Sequence, residues 1–275
     1  MKKKITVAIF VTIILVMAGT FASCGGSSST IDQSWAKNET LEYVVTDTGK
    51  GNAVVGEAKM VTTTELNAEE KAAESAANTK MTSIITIGDK TKTSVYYANI
   101  YSVISLKTVY TDASDAKNNY ELKARHEGKN YVYELSYPAD STKNKSGKIN
   151  VGKTGYTDGE FLYNYVRCYE PSAVPSSINV ADPFTDSVVK LKCTYVSNAA
   201  TVPTKSSLGS VKCNMINITR AESPIGKGIS VCYLPKDAEG QFSFGEGSII
   251  KSVRHPVLIA ENELVFTLKD FEPKK

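Results

Sequence analysis

The chain has 275 residues, with 32 Lys plus Arg against 29 Asp plus Glu, two histidines and five cysteines. Three of the basic residues are Lys2, Lys3 and Lys4, so setting residues 1–23 aside as a leader lowers Lys plus Arg from 32 to 29 and leaves a neutral chain. No clustered basic stripe remains, which excludes the electrostatic footprint of a nucleic-acid-binding protein.

The first element is the leader. Three lysines precede an apolar run from Ile5 to about Gly19, followed by the small-residue exit Thr20-Phe21-Ala22-Ser23 and then Cys24. A basic start, a short apolar core and a small-residue exit form the layout of a secretory signal peptide. The apolar run is shorter than the ~20 residues of a spanning helix. The stretch TFASCGGSSS is similar to the lipobox of bacterial lipoproteins. In that family a diacylglyceryl group is attached to the cysteine thiol and the leader is cut just before it. Ala22 and Ser23 fit the expected small residues, while Phe21 stands where Leu, Val or Ile is usual. The resemblance implies lipidation at Cys24 with palmitate-type acyl chains, each buried methylene adding ~0.8 kcal/mol of membrane affinity. It also implies an extracytoplasmic protein of the cell envelope, anchored to a bacterial membrane. That membrane is the outer face of the cell membrane, or the periplasm-facing side of an outer membrane if the host has one.

Residues 24–38 read as lipidated cysteine and tether, its Gly-Ser run flexible and uncharged. Trp35, the only tryptophan, is expected to cap the edge of the fold. Residues 39–275, about 235 in number, suit one β-rich domain. Tyr, Val and Thr are plentiful, which favours strands. Alternation over 40–65 predicts two strands joined by a turn at Gly49-Lys50-Gly51-Asn52. In 67–78, Asn67 and Glu70 resemble a capping box and the apolar residues are all alanine. Such a segment forms a short surface helix or a loop. Strands resume through 81–111 and 119–138, where Tyr131, Tyr133, Leu135 and Tyr137 share one face.

The segment 155–171 alternates poorly as a strand. Read as a helix near 157–168, it gains a capping box from Thr157 and Glu160, an apolar stripe of Phe161, Tyr165 and Cys168, and a stop at Pro171. Strand patterns return at 186–196, 209–219, 227–235, 248–260 and 263–271, with turns at Pro203, Pro224-Ile225-Gly226 and Gly240. About a dozen strands in hairpin order predict a mainly β fold: a single antiparallel sheet, curved into a barrel or half-barrel, with one buried short helix. Three segments, 41–60, 156–169 and 253–271, together resemble an uncharacterised family of exported bacterial proteins. That resemblance implies one curved β-barrel-like domain of unknown function and carries no catalytic residues.

Catalytic signatures are missing. No Cys-x-x-Cys, Gly-x-Ser-x-Gly or phosphate loop occurs, so neither metal nor cofactor is expected. His126 and His255 read as surface or strand-edge residues, and Asp182 and Asp186 as turn and strand-cap residues around Pro183. Tyr96, Tyr97, Tyr101, Tyr131 and Tyr133 read as half-buried sheet residues rather than a sugar platform. Of the five cysteines, Cys24 is reserved for lipid. Cys168, Cys193, Cys213 and Cys232 lie inside predicted elements, on faces expected to point inward. Two states are open for them: disulfides, with Cys193–Cys213 and Cys168–Cys232 suggested by hairpin proximity, or buried free thiols. The functional expectation is a non-enzymatic binding or scaffolding module of the envelope, whose partner is an envelope protein or an apolar small molecule. A carrier or sensor of an apolar ligand is the alternative, and an envelope hydrolase a distant third.

Overall fold

The alternation at the start of the domain becomes a hairpin. β1 (Glu39–Asp47) buries Glu39, Leu41, Tyr43 and Val45 on one face. β2 (Ala53–Thr63) pairs with it in antiparallel register, from Glu39 opposite Thr62 to Asp47 opposite Ala53. The turn falls where the Gly-Lys-Gly-Asn run put it. The Asp47 carboxylate accepts from the Gly49 N–H at 2.9 Å, and Gly51 and Asn52 take φ of 65° and 63°. Those left-handed angles are the ones glycine and asparagine adopt most readily.

The computed structural model describes residues 38–99, 102–152, 159–167, 169, 174–203, 210–220, 228–234, 242–243, 255–269 and 272–273. They fall within one unit, Ile31–Lys275. The leader, Cys24, the tether with Trp35, Tyr101, Thr157, Cys168 and the expected turns at 224–226 and 240 lie outside the described residues.

α1 (Ala68–Ala73) carries the expected capping box, with both reciprocal Asn67 and Glu70 hydrogen bonds formed, and buries none of its residues. It is held from outside instead: Lys80 Nζ and Tyr97 Oη reach Glu70 at 2.5 and 3.2 Å, and Arg125 reaches Glu74 at 3.1 Å.

β3 (Thr79–Ile87), β4 (Lys90–Asn99), β5 (Ser102–Asp112), β6 (Tyr120–Glu127), β7 (Asn130–Ser136) and β8 (Lys145–Asn150) continue as a meander. Tyr131, Tyr133 and Leu135 are buried together, as their period of two requires. α2 (Phe161–Arg167) follows. The second arm is β9 (Ser177–Asp182), β10 (Ser187–Pro203), β11 (Ser210–Arg220), β12 (Gly228–Tyr233), β14 (Pro256–Glu261) and β15 (Leu264–Leu268), while β13 (Phe242–Ser243) and β16 (Glu272–Pro273) form a separate ribbon. β10 runs past Val196 to Pro203 through a register irregularity before Ala200.

β15 returns to pair with β1, Tyr43 opposite Leu268. That seam joins both arms into one 14-stranded antiparallel sheet, ordered β8-β7-β6-β5-β4-β3-β2-β1-β15-β14-β12-β11-β10-β9. The two ends of the sheet approach each other. Lys145 Nζ donates to the Phe184 carbonyl at 2.5 Å, and Tyr133 Oη donates to Asp186 Oδ1 at 3.0 Å. The fold is therefore a nearly closed, barrel-like sheet, as the strand pattern implied.

The helix inside departs from expectation in one respect. Its sequence predicts one apolar stripe, yet all seven residues are buried, Asn164 and Arg167 included. The reason is that its partners come from both arms of the sheet, so it has no solvent face to spend polar residues on.

Candidate functional site

Helix α2 divides the interior into two chemically different ends. At its C-terminal end Arg167 is fully buried and its Nη2 donates to both carboxylate oxygens of Glu39, at 2.9 and 3.1 Å. His255, also fully buried, places Nε2 2.9 Å from Glu39 Oε2. Tyr43 Oη donates to the Pro256 carbonyl at 2.9 Å, next to His255. Burial pushes the Tyr43 hydroxyl far up, with the Glu39 charge adding to this and Arg167 opposing it. His255 is thus not the strand-edge residue its sequence context suggested. It continues the buried parity of Val257 and Ile259 on β14 and ends in a core ion cluster.

At the N-terminal end Glu160 is buried, while Thr157, with which it was expected to form a capping box, lies outside the described residues. Gly159 turns with φ of 46°, and a Cβ there would lie 2.5 Å from Tyr96 Oη, so only glycine lets the chain pass. Glu160 then points inward. Lys92 Nζ pairs with its Oε1 at 2.8 Å, Tyr96 Oη donates to its Oε2, and the Glu160 N–H donates back to Tyr96 Oη at 3.1 Å. Burial alone would raise the Glu160 carboxyl, but the Lys92 ammonium and the hydrogen bonds from Lys92, from Tyr96 and from its own backbone outweigh it and hold it below the ordinary range. One turn on, Tyr163 Oη donates to Glu261 Oε2 at 2.8 Å, and burial with the Glu261 charge raises the phenol.

Beside this end the interior is not filled. A cleft of about 710 Å³ opens between β4–β6, α2 and β9–β12. Its walls are aliphatic: Leu106, Leu122 and Leu162 on one side, Leu191, Ile218 and Ile229 on the other. Its charged groups are Lys92, Glu160, Asp182, Arg220 and Glu261, and the hydroxyls of Tyr96, Thr108, Tyr120 and Tyr163 and the Asn262 amide also line it. Tyr120 and Phe184 meet edge to face at its rim, ring centroids 5.2 Å apart. A concave apolar site of several hundred cubic ångströms with a small set of placed polar groups is the usual form of a small-molecule site. Within it Glu160 is engaged by Lys92 and Tyr96, and Glu261 by Tyr163.

Other expected positions resolve as follows. Asp182 Oδ1 accepts from the N–H groups of Phe184 and Thr185 at 2.9 and 3.3 Å, the turn role expected of it. Asp186 takes φ of 56° and receives the Tyr133 hydroxyl. Tyr96, Tyr131 and Tyr133 face the core, Tyr97 faces out, and His126 is half-buried, which lowers its imidazole. Among the described residues no group of three His, Cys, Asp or Glu is placed to hold a metal.

Cys193, Cys213 and Cys232 are free and buried. The Cys193–Cys213 bridge is not formed, because the register sets Cys193 opposite Ile218 and Cys213 opposite Ala200. Cys193 shares the cleft-side parity of Leu191, whereas Cys213 has the opposite parity to Ile218 and Arg220. Cys213 therefore lies with Met215 away from the cleft rather than facing into it. Cys232, free opposite Met215, does not bridge to Cys168, which lies outside the described residues. Burial pushes the three thiols up to about 11, 12 and 11 in chain order, which leaves them inert as nucleophiles at neutral pH.

The residues missed in sequence have one signature. Glu39 shares parity with Leu41 and Tyr43, Lys92 with Tyr96 and Ala98, and His255 with Val257: each is an ionisable group in the buried register of a strand. No family model matches the chain, and no curated protein matches it. Among solved structures it is similar to the crystal structure of a β-barrel-like protein of domain of unknown function DUF1849 from Brucella abortus. The two are 12% identical, the match covers 87% of this chain and 99% of that one, and the TM-score is 0.46.

Proposed function

We propose that the protein is an extracytoplasmic binding protein, tethered to a bacterial membrane through lipid on Cys24, whose barrel holds a small amphiphilic molecule beside helix α2. It is a non-enzymatic carrier or sensor. The observation that carries the reading is the cleft of about 710 Å³, aliphatic on two walls and bounded by Lys92, Glu160, Tyr163 and Arg220. A scaffold that used only its outer surface has no need of a concave recess of this size, which is the usual form of a small-molecule site.

Extraction and mass spectrometry of small molecules that co-purify with the protein from its own cells test the carrier role. An apolar molecule in stoichiometric amount is expected with the native chain and is lost from Leu191→Trp, which fills the cleft. No such molecule with either chain overturns it. The anchor is tested separately: the membrane-bound protein carries acyl mass at its N-terminus, and Cys24→Ala releases it without that mass.

A further inference from the structure

Resting on the carrier reading, we infer that the cleft selects single-chain amphiphiles with an oxyanion head, and that Arg220 is the residue that seats the head. The charged groups of the cleft are not equivalent. Lys92 is paired with Glu160 at 2.8 Å, Glu261 accepts the Tyr163 hydroxyl at 2.8 Å, and Asp182 is occupied by the N–H groups of its own turn. Among the described residues the Arg220 side chain has no hydrogen bond or ion pair. It is exposed at the end of β11, while Ile218, two residues earlier on the same face, is buried. Leu191 stands directly opposite Arg220 on β10, and Ile229 opposite Ile218 on β12.

Thus one unengaged cation sits at the rim and an aliphatic track leads inward from it: Leu191, Ile218 and Ile229 on its own wall, Leu162 and Leu122 across from it. That polarity matches a molecule charged at one end only. A guanidinium presents its donors as a planar fork that fits carboxylate and phosphate oxygens in pairs. Each of the three carboxylates of the cleft already accepts at least one hydrogen bond from the protein, whereas the donors of the Arg220 side chain are unused.

The test uses the intact protein in membranes of its host. Three diazirine-bearing probes with the same twelve-carbon chain are photo-crosslinked: an alkyl carboxylate, an alkyl phosphate and an alkyl alcohol. Peptides of β10–β12 are then read by mass spectrometry. All probes reaching the cleft are expected to label these peptides. Arg220→Gln should lower labelling by the anionic probes by ~10-fold or more, the scale of a lost charge-assisted hydrogen bond, and leave the alcohol unchanged. Arg220→Lys should restore part of it. Stronger Arg220-dependent labelling by the carboxylate or by the phosphate identifies which head is the natural one. Equal loss for all three probes, or no loss for the anions, overturns the role of Arg220 while leaving the carrier reading in place. Absence of cleft labelling by any probe overturns that reading itself.

Discussion

The two ends of helix α2 solve the same problem, a charge inside a barrel, in opposite ways. At the Arg167 end Glu39, Arg167 and His255 are buried together, and Glu39 is held by both of the others. At the Glu160 end the carboxylate is buried too, but its partner Lys92 is one-third exposed and the cleft adjoins both. In a sealed cluster the charges have no water to fall back on, so losing one partner strands the other in low dielectric. Beside a cleft, solvent or a ligand head can take the place of a lost partner. The closed end should therefore govern whether the domain folds, and the open end what it holds.

The largest expected effect follows from that contrast. Arg167→Met removes the cation from between Glu39 and the helix end, leaving a carboxylate that is 3% exposed without its guanidinium. Breaking a buried pair in this way costs about 3–5 kcal/mol. Urea unfolding of the variant should show a midpoint lowered accordingly, with the slope unchanged. A loss under 1 kcal/mol would mean that the closed end does not anchor the helix, and the comparison would collapse.

Lys92→Met is the matching change at the open end, and its cost at pH 7 should be smaller, about 1–3 kcal/mol for an unsatisfied charged group with water nearby. Its pH dependence is the sharper reading. In the native protein the folded Glu160 lies below its unfolded value, so its contribution is present above about pH 4 and lost as acid protonates it. Without Lys92 the burial that opposes this depression is left in charge, and the folded carboxyl moves above its unfolded value. Glu160 then penalises the variant at neutral pH, and the penalty disappears on acidification. The stability gap between native and variant protein should narrow steadily below pH 5. A gap that stays constant from pH 7 to 3 would show that Lys92 acts only through its methylene stem.

How much of this was readable in the chain depends on the length scale of the signal. Tyr131, Tyr133 and Leu135 declared a half-buried strand by spacing alone, and the Gly49–Asn52 run placed its hairpin turn, because both are local properties of backbone and side chain. The poor alternation of 155–171 marked a helix, and the helix exists as Phe161–Arg167. Its neighbours were not legible. Glu160 has the spacing of a capping residue, and nothing in that spacing shows that β4 brings Lys92 and Tyr96 to it. Likewise Glu39 and His255 stand more than two hundred positions apart and meet because β1 pairs with β15, which in turn pairs with β14. Charges on a buried parity could have been flagged strand by strand. Which of them meet is a property of topology, and so was the separation of Cys193 from Cys213, set by the register of β10 and β11.

The smallest effect comes from the other helix, and it calibrates the first two. α1 has the same kind of capping residue and a comparable length, yet it buries nothing and is held by side chains on the outside of the sheet. Asn67→Ala removes the acceptor of the Glu70 N–H and should cost the helix about 1 kcal/mol locally. Because no core contact depends on α1, amide exchange should quicken in Ala68–Ala73 while the exchange of β1 and β7 amides stays within error. If the whole barrel loosened in parallel, the outer network of Glu70, Lys80 and Tyr97 would be part of the cooperative core, and burial would no longer be what separates the two helices.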